Sequence, residues 1–221
     1  MSQLLWIISG GTICILLGYL IGSANTSLII GRFYGTDVRR CGSGNAGMTN
    51  TLRTLGKLPA LLVIIGDLLK GVLACAAGYF VIMNIFNLQN LHEQRAFIGQ
   101  LGVLSGGIGA ILGHNWPLYF GFRGGKGVLT TFAVILFVAP MYGLILLALF
   151  LLIVALTRYI SLGSVVASLA FPFLVVLKGN SAEFIVFAFF VAFLVIVRHR
   201  TNIVRLIRGN ESKLGDKKAK L

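Results

Sequence analysis

Three polar stretches hold almost all the residues in this chain that could do chemistry. The first reads Gly42-Ser43-Gly44-Asn45-Ala46-Gly47-Met48-Thr49-Asn50-Thr51-Leu52-Arg53. Glycines Gly42, Gly44 and Gly47 let the backbone take positive φ and bring its N–H groups against a guest, while Ser43, Asn45, Thr49 and Asn50 add short side-chain donors. Arg39, Arg40 and Arg53 bring positive charge, and the only acid nearby is Asp37. A guest suited to such a cradle is an anion, above all a phosphate. The same composition also suits a flexible membrane-proximal loop carrying cytoplasmic arginines.

The second stretch is Gly113-His114-Asn115-Trp116-Pro117-Leu118-Tyr119-Phe120-Gly121-Phe122-Arg123-Gly124-Gly125-Lys126-Gly127. Lys126 sits within Gly-Gly-Lys-Gly, where backbone amides and a point charge can hold one phosphate. It is not a nucleotide-binding P-loop. That motif needs a glycine five residues before its last glycine and Ser or Thr after the lysine, where this chain has Phe120 and Gly127. The third stretch is split: Arg158-Tyr159-Ile160-Ser161-Leu162-Gly163-Ser164, then Arg198-His199-Arg200-Thr201-Asn202-Ile203.

These islands have to be positioned by apolar helices. Of 221 residues, 57% are apolar and 11% charged, against about a quarter charged in soluble domains, which makes the chain a polytopic membrane protein. An all-α fold of seven transmembrane helices is expected, several of them short, over residues 4–23, 58–83, 98–113, 128–140, 141–157, 161–177 and 184–197. Pro140 divides an apolar run too long for one span and short for two, and Pro172 should kink the sixth helix. Gly99, Gly102, Gly106, Gly107, Gly109 and Gly113 should let the third helix pack very closely on its neighbours. Residues 84–97, including His92, form a nearly neutral outer loop. Residues 1–208 are expected as a single domain, with 209–221 a basic tail. Asp67 and Lys70 lie three apart on one helix face inside a span, either as a structural ion pair or as a functional one.

Charge fixes the orientation. Sixteen of the 19 Lys and Arg fall on one side of this arrangement, which places the N-terminus outside and the C-terminus in the cytoplasm. The net charge of +13 is therefore a topology signal, and no basic soluble domain exists to read nucleic acid. Cys14, Cys41 and Cys75 give neither a disulfide framework nor a metal-ligand spacing, so no metal and no cofactor are expected. The polar islands all reach the cytoplasmic boundary.

With the islands in this order, the chain resembles the acyl-phosphate-dependent glycerol-3-phosphate acyltransferases of bacterial membranes, the PlsY family. The first family motif is matched by Gly42-Ser43-Gly44-Asn45 through Thr49-Asn50 to Arg53. The second is matched by Gly113-His114-Asn115, Pro117 and Gly124 to Gly127, and the third by His199 with Asn202-Ile203, preceded by Arg158-Tyr159 and two serines. Where the family commonly has Gly-Ser-Ile-Pro, this chain has Gly22-Ser23-Ala24-Asn25, and Met48 stands where Ala is usual.

The resemblance implies transfer of a fatty acyl group from acyl phosphate to the 1-hydroxyl of glycerol 3-phosphate, giving lysophosphatidate and inorganic phosphate. It implies a multi-pass protein of the bacterial inner membrane, with its site facing the cytoplasm and an enzyme supplying acyl phosphate as a partner. Carried over by position, Ser43, Arg53, Lys126, His199 and Asn202 are the implied catalytic set. Gly42, Gly44, Asn45, Thr49, Asn50, His114, Gly124, Gly125, Gly127, Ser161 and Ser164 are the implied substrate-binding residues. His199 is expected as an uncharged donor to phosphate.

What is missing narrows the chemistry. The acids are Asp37, Asp67, Glu93, Glu183, Glu211 and Asp216, none inside an island, and no histidine is followed five residues on by aspartate. An acyl phosphate is already activated and carries a base of its own, which points to direct, substrate-assisted transfer without an acyl-enzyme. The alternative class is a transporter or binding protein for a small organic phosphate, against which the islands crowd one face instead of the midplane.

Overall fold

The computed structural model describes residues 3–85 and 92–216, and among these every regular element is helical. The chain forms two compact units, the first ending at Val138 and the second beginning at Ala139.

In the first unit α1 (Gln3–Ser23) is followed by α2 (Thr26–Phe33). Asn25 separates them: its backbone is extended and its side-chain oxygen accepts from the Leu28 N–H, capping α2. The Asn at the position where the resemblance noted a departure is therefore a helix cap. A 3-10 turn at Val38–Arg40 leads to α3 (Met48–Thr54), which the sequence reading left as loop. The long α4 (Lys57–Ile85) and α5 (His92–Asn115) come next. Most of the expected outer loop is thus absorbed into these two helices, and residues 86–91 lie outside the described set.

The glycine-rich α5 packs as expected, between α1 and α4. A Cβ on Gly106 would stand 2.2 Å from the Ala74 carbonyl of α4, one on Gly109 would stand 2.2 Å from the Ile15 carbonyl of α1, and one on Gly78 would stand 2.1 Å from the Gly102 carbonyl. Such backbone contact is open only to glycine, and in a bilayer it gives close van der Waals packing its largest return. A second 3-10 turn (Leu118–Phe120) and the Gly124–Gly127 loop then enter α6 (Val128–Val138).

The second unit opens at Pro140, which takes the first turn of α7 (Pro140–Thr157) after the extended Ala139. Arg158 closes α7 in the left-handed region, φ 64°, its N–H donating to Val154. Then come α8 (Ile160–Leu177, with Pro172 inside) and α9 (Ala182–Arg198); Tyr142 of α7, Phe171 of α8 and Phe184 and Phe187 of α9 form an aromatic cluster in this unit. At His199 the chain bends by 61° into α10 (Arg200–Ile207).

Among the described residues five helical stretches are long and apolar enough to cross a membrane, six if α9 and α10 count as one bent span; α6, at 11 residues, is shorter. At 1.5 Å per residue α6 covers only about 16 Å of a core about 30 Å thick.

Candidate active site

In the first island Asn50 does the organising. Its carboxamide oxygen accepts from the N–H and the hydroxyl of Ser43, at 2.8 and 3.1 Å, and its amide donates to the carbonyls of Val38 and Cys41, at 2.7 and 3.1 Å. All four of its hydrogen-bonding positions are thus used by the loop, so Asn50 holds Ser43 in place instead of contacting a ligand. Ser43 itself is exposed, between Gly42 and Gly44 at φ 60° and 71°. A Cβ on Gly42 would also sit 2.3 Å from the Asn50 oxygen, so this position is glycine on two counts. Thr49 and Arg53, both half-buried, ride on α3, with Arg53 in its last turn. Asn45 is half-buried at the loop's end.

Arg39 is not part of the cradle's free charge. It pairs with Asp37 at 2.8 Å and donates to the carbonyls of Phe120 and Arg123, at 2.9 and 3.3 Å. The Arg39 guanidinium holds the Asp37 carboxyl below the usual range. Its work is to clamp the first island to the second.

The two islands meet directly. A Cβ on Gly125 would be 2.2 Å from Nε2 of His114 and 2.4 Å from the carbonyl oxygen of Ala46. Gly125 N–H donates to the His114 carbonyl at 3.1 Å, and Gly127, at φ 76°, accepts from Thr131 N–H at 2.7 Å as α6 begins. Lys126 is half-buried between them. The loop therefore delivers its lysine beside the amide-rich start of a helix, where an anion is favoured by both charge and hydrogen bonding.

Asn115, in the second island, is outside the implied set of site residues. It is fully buried, and neither its amide nor its carboxamide oxygen has a hydrogen-bond partner among the described residues; that oxygen lies 2.8 Å from where a Gly127 Cβ would be. The hydroxyls of Thr130 and Thr131 in the first turn of α6 are likewise unpartnered. Orphaned polar atoms of this kind mark a place that a polar guest can complete.

In the second unit Ser161, Asn202 and Arg205 converge on one carboxylate. Glu211 accepts from the Ser161 hydroxyl at 2.8 Å, the Asn202 amide at 2.6 Å and Arg205 Nε at 2.7 Å. Burial opposes its charge, but these three donors outweigh it and hold the Glu211 carboxyl below the ordinary value. The acid inventory placed no carboxylate in any island, and folding supplies one from the segment expected to be a separate tail. That segment is tied down further by Arg158, which donates to the Leu214 carbonyl at 2.7 Å. Ser164 donates to its own helix, at the Ile160 carbonyl.

His199 stands at the corner of α9 and α10, 2% exposed, with Nδ1 2.7 Å from the Val195 carbonyl. A carbonyl only accepts, so Nδ1 carries a proton and donates to Val195.

By fold, the chain is a polytopic helical membrane protein with glycine-rich, cation-bearing loops between its helices. A sequence model of the family described as glycerol-3-phosphate acyltransferase matches residues 12–209. The glycerol-3-phosphate acyltransferase of Clostridioides difficile (strain 630) is 44% identical over 201 residues, 90% of this chain and 93% of that protein. The one from Thermoanaerobacter sp. (strain X514) is 40% identical over 203 residues, 91% and 94% respectively. Two crystal structures of PlsY, an integral membrane glycerol 3-phosphate acyltransferase, superpose with TM-scores of 0.78 for the glycerol 3-phosphate form and 0.75 for the lysophosphatidic acid form. Each is 32% identical and covers 93% of this chain, with 96% and 95% of the solved chains matched. The chain belongs to the glycerol-3-phosphate acyltransferase family and is an acyltransferase, which sets the transporter reading aside.

Proposed function

We propose that the protein transfers a fatty acyl group from acyl phosphate to the 1-hydroxyl of glycerol 3-phosphate, releasing 1-acylglycerol 3-phosphate and inorganic phosphate. It does so at the cytoplasmic boundary of a bacterial inner membrane, from a seven-span bundle with its N-terminus outside and with acyl phosphate supplied by a separate enzyme. The observation that carries this reading is the meeting of the Ser43 loop and the Gly124–Gly127 loop, at Gly125 and Ala46, to make one cradle with left-handed glycines, an exposed serine and a lysine. Glycerol 3-phosphate and lysophosphatidic acid are the molecules named for the PlsY crystal forms.

The hydroxyl oxygen of glycerol 3-phosphate attacks the acyl carbon, the carbon–oxygen bond to phosphate breaks, and the hydroxyl proton leaves with the phosphate. His199, its ring held by Val195 through Nδ1, hydrogen-bonds the attacking hydroxyl through Nε2 and orients it. Arg53, Lys126 and the glycine amides stabilise charge on the leaving phosphate, as preorganised donors do in a site that costs no reorganisation. Ser43 steadies the transferring group, and Asn202, which gives one amide N–H to Glu211, offers the other to phosphate, while Ser161 is held by Glu211. No acyl-enzyme forms.

Purified protein in detergent should release phosphate from acyl phosphate only when glycerol 3-phosphate is present. Turnover with acyl-coenzyme A alone would overturn the choice of donor, and trapping an acylated Ser43 or Cys41 would overturn direct transfer.

A further inference from the structure

In the first unit α4 buries a charge pair, and the pair reaches the second island through His114. Asp67 and Lys70 are 1% and 5% exposed and 2.9 Å apart. Lys70 Nζ is also 2.9 Å from Nδ1 of His114 and 3.4 Å from the Ala24 carbonyl, so the three N–H bonds of one ammonium meet three acceptors. The same Asp67 oxygen accepts from Thr26 at 3.1 Å and stays 3.6 Å from Nδ1 of His114. An ammonium has no lone pair, so Nδ1 must accept and the His114 proton must be on Nε2. That nitrogen is the atom that a methyl at Gly125 would meet at 2.2 Å, beside the Ala46 carbonyl.

Stability alone is a poor reason for such a pair, because well-packed apolar replacements of buried ion pairs are commonly neutral or stabilising. We propose that Asp67 and Lys70 are positioning residues for acyl transfer: they fix His114 with its proton on Nε2, facing Gly125, and so hold the Gly124–Gly127 loop against Ala46 in the shape that receives phosphate. This rests on the reading of that loop as a phosphate cradle. Lys70 sets the ring, and Asp67 holds the lysine in place at 2.9 Å.

The first test uses the unaltered full chain with 15N-labelled histidine. The three histidines are distinguished by comparison with His114→Gln, and nitrogen shifts read which ring atom bears hydrogen. Nε2–H at His114 is the expected result; Nδ1–H overturns the proposal whether or not the protein turns over acyl phosphate. The second test is kinetic. The double variant Asp67→Leu/Lys70→Met should remain folded and lose at least ten-fold in kcat/KM for glycerol 3-phosphate. In a His114→Gln background, where an amide donor needs no tautomer to be chosen, the same double change should cost under three-fold. Equal losses in both backgrounds, or a lowered melting temperature with unchanged kcat/KM, would make the pair structural only. Should the double variant not fold, the labelled native protein decides. Absence of phosphate release from the native enzyme would sink the acyl-phosphate reading and leave the tautomer result standing.

Discussion

Gly125→Ala is the sharpest probe of the cradle. Its new methyl would stand 2.2 Å from His114 Nε2 and 2.4 Å from the Ala46 carbonyl oxygen, whereas non-bonded carbon contacts sit at about 3.5 Å. Relief needs about 1 Å of movement. The imidazole cannot swing away cheaply, because its other nitrogen is held by Lys70 at 2.9 Å, and Ala46 is backbone, fully buried. The loop carrying Lys126 is left to move. A misplacement of about 1 Å at a positioning element can cost about 100-fold in rate, or about 2.7 kcal/mol of transition-state stabilisation. The protein should still fold, since overpacking of this size costs about 1–3 kcal/mol. Gly35→Ala is the control: Gly35 is also left-handed, at φ 69°, but nothing lies within 4 Å of its Cβ position, so only backbone strain of about 1–2 kcal/mol is added. Phosphate release at several glycerol 3-phosphate concentrations, on protein shown monodisperse by gel filtration, measures both. A folded Gly125→Ala enzyme within three-fold of the parent kcat/KM would refute the claim that the two loops form one close-fitted site.

Lys126→Met should raise the KM for a phosphate substrate at least ten-fold, read from initial rates; unchanged activity at low substrate would remove Lys126 from the cradle. Arg53→Ala should lower kcat by about 10²–10³-fold, the usual loss for one preorganised charge-stabilising donor, while membrane yield and melting temperature stay near those of the parent. Glu211 predicts a pH effect: its carboxyl is held below the ordinary value by Asn202, Arg205 and Ser161, so its contribution is complete above that ordinary value. It is lost as pH falls through the lowered one. Hydrogen exchange at residues 207–216 should therefore rise below about pH 4, near the reference carboxylate value. In Glu211→Gln it should be faster at neutral pH and flat across that range.

What could be read from the sequence was set by period and composition. The break at Pro140, the glycine-lined α5 and the three islands all follow from local residue types, because apolar runs, helix breakers and glycine clusters act on the chain near them. The helices α2, α3 and α10 were not legible, being seven or eight residues long, too short for a hydrophobic period to show. Long-range polar contacts were equally hidden. Asp37 and Arg39 looked like opposing charges in one loop, yet their partnership frees Arg39 to grip Phe120 and Arg123, far along the chain. Glu211 looked like part of a solvated tail, and only the return of that segment past Arg158 brings it to Ser161 and Asn202. Asn50 shows the reverse error: a donor beside glycines looks like a ligand contact, but counting its four bonds leaves it none to give.

The two buried histidines carry the same argument one step further. Each has one ring nitrogen against a group that can act in only one sense: the Lys70 ammonium, which only donates, and the Val195 carbonyl, which only accepts. With Lys70 charged, Nδ1 of His114 accepts, whereas Nδ1 of His199 donates. Identical side chains are thus set differently by the fold, each through the group that its Nδ1 meets.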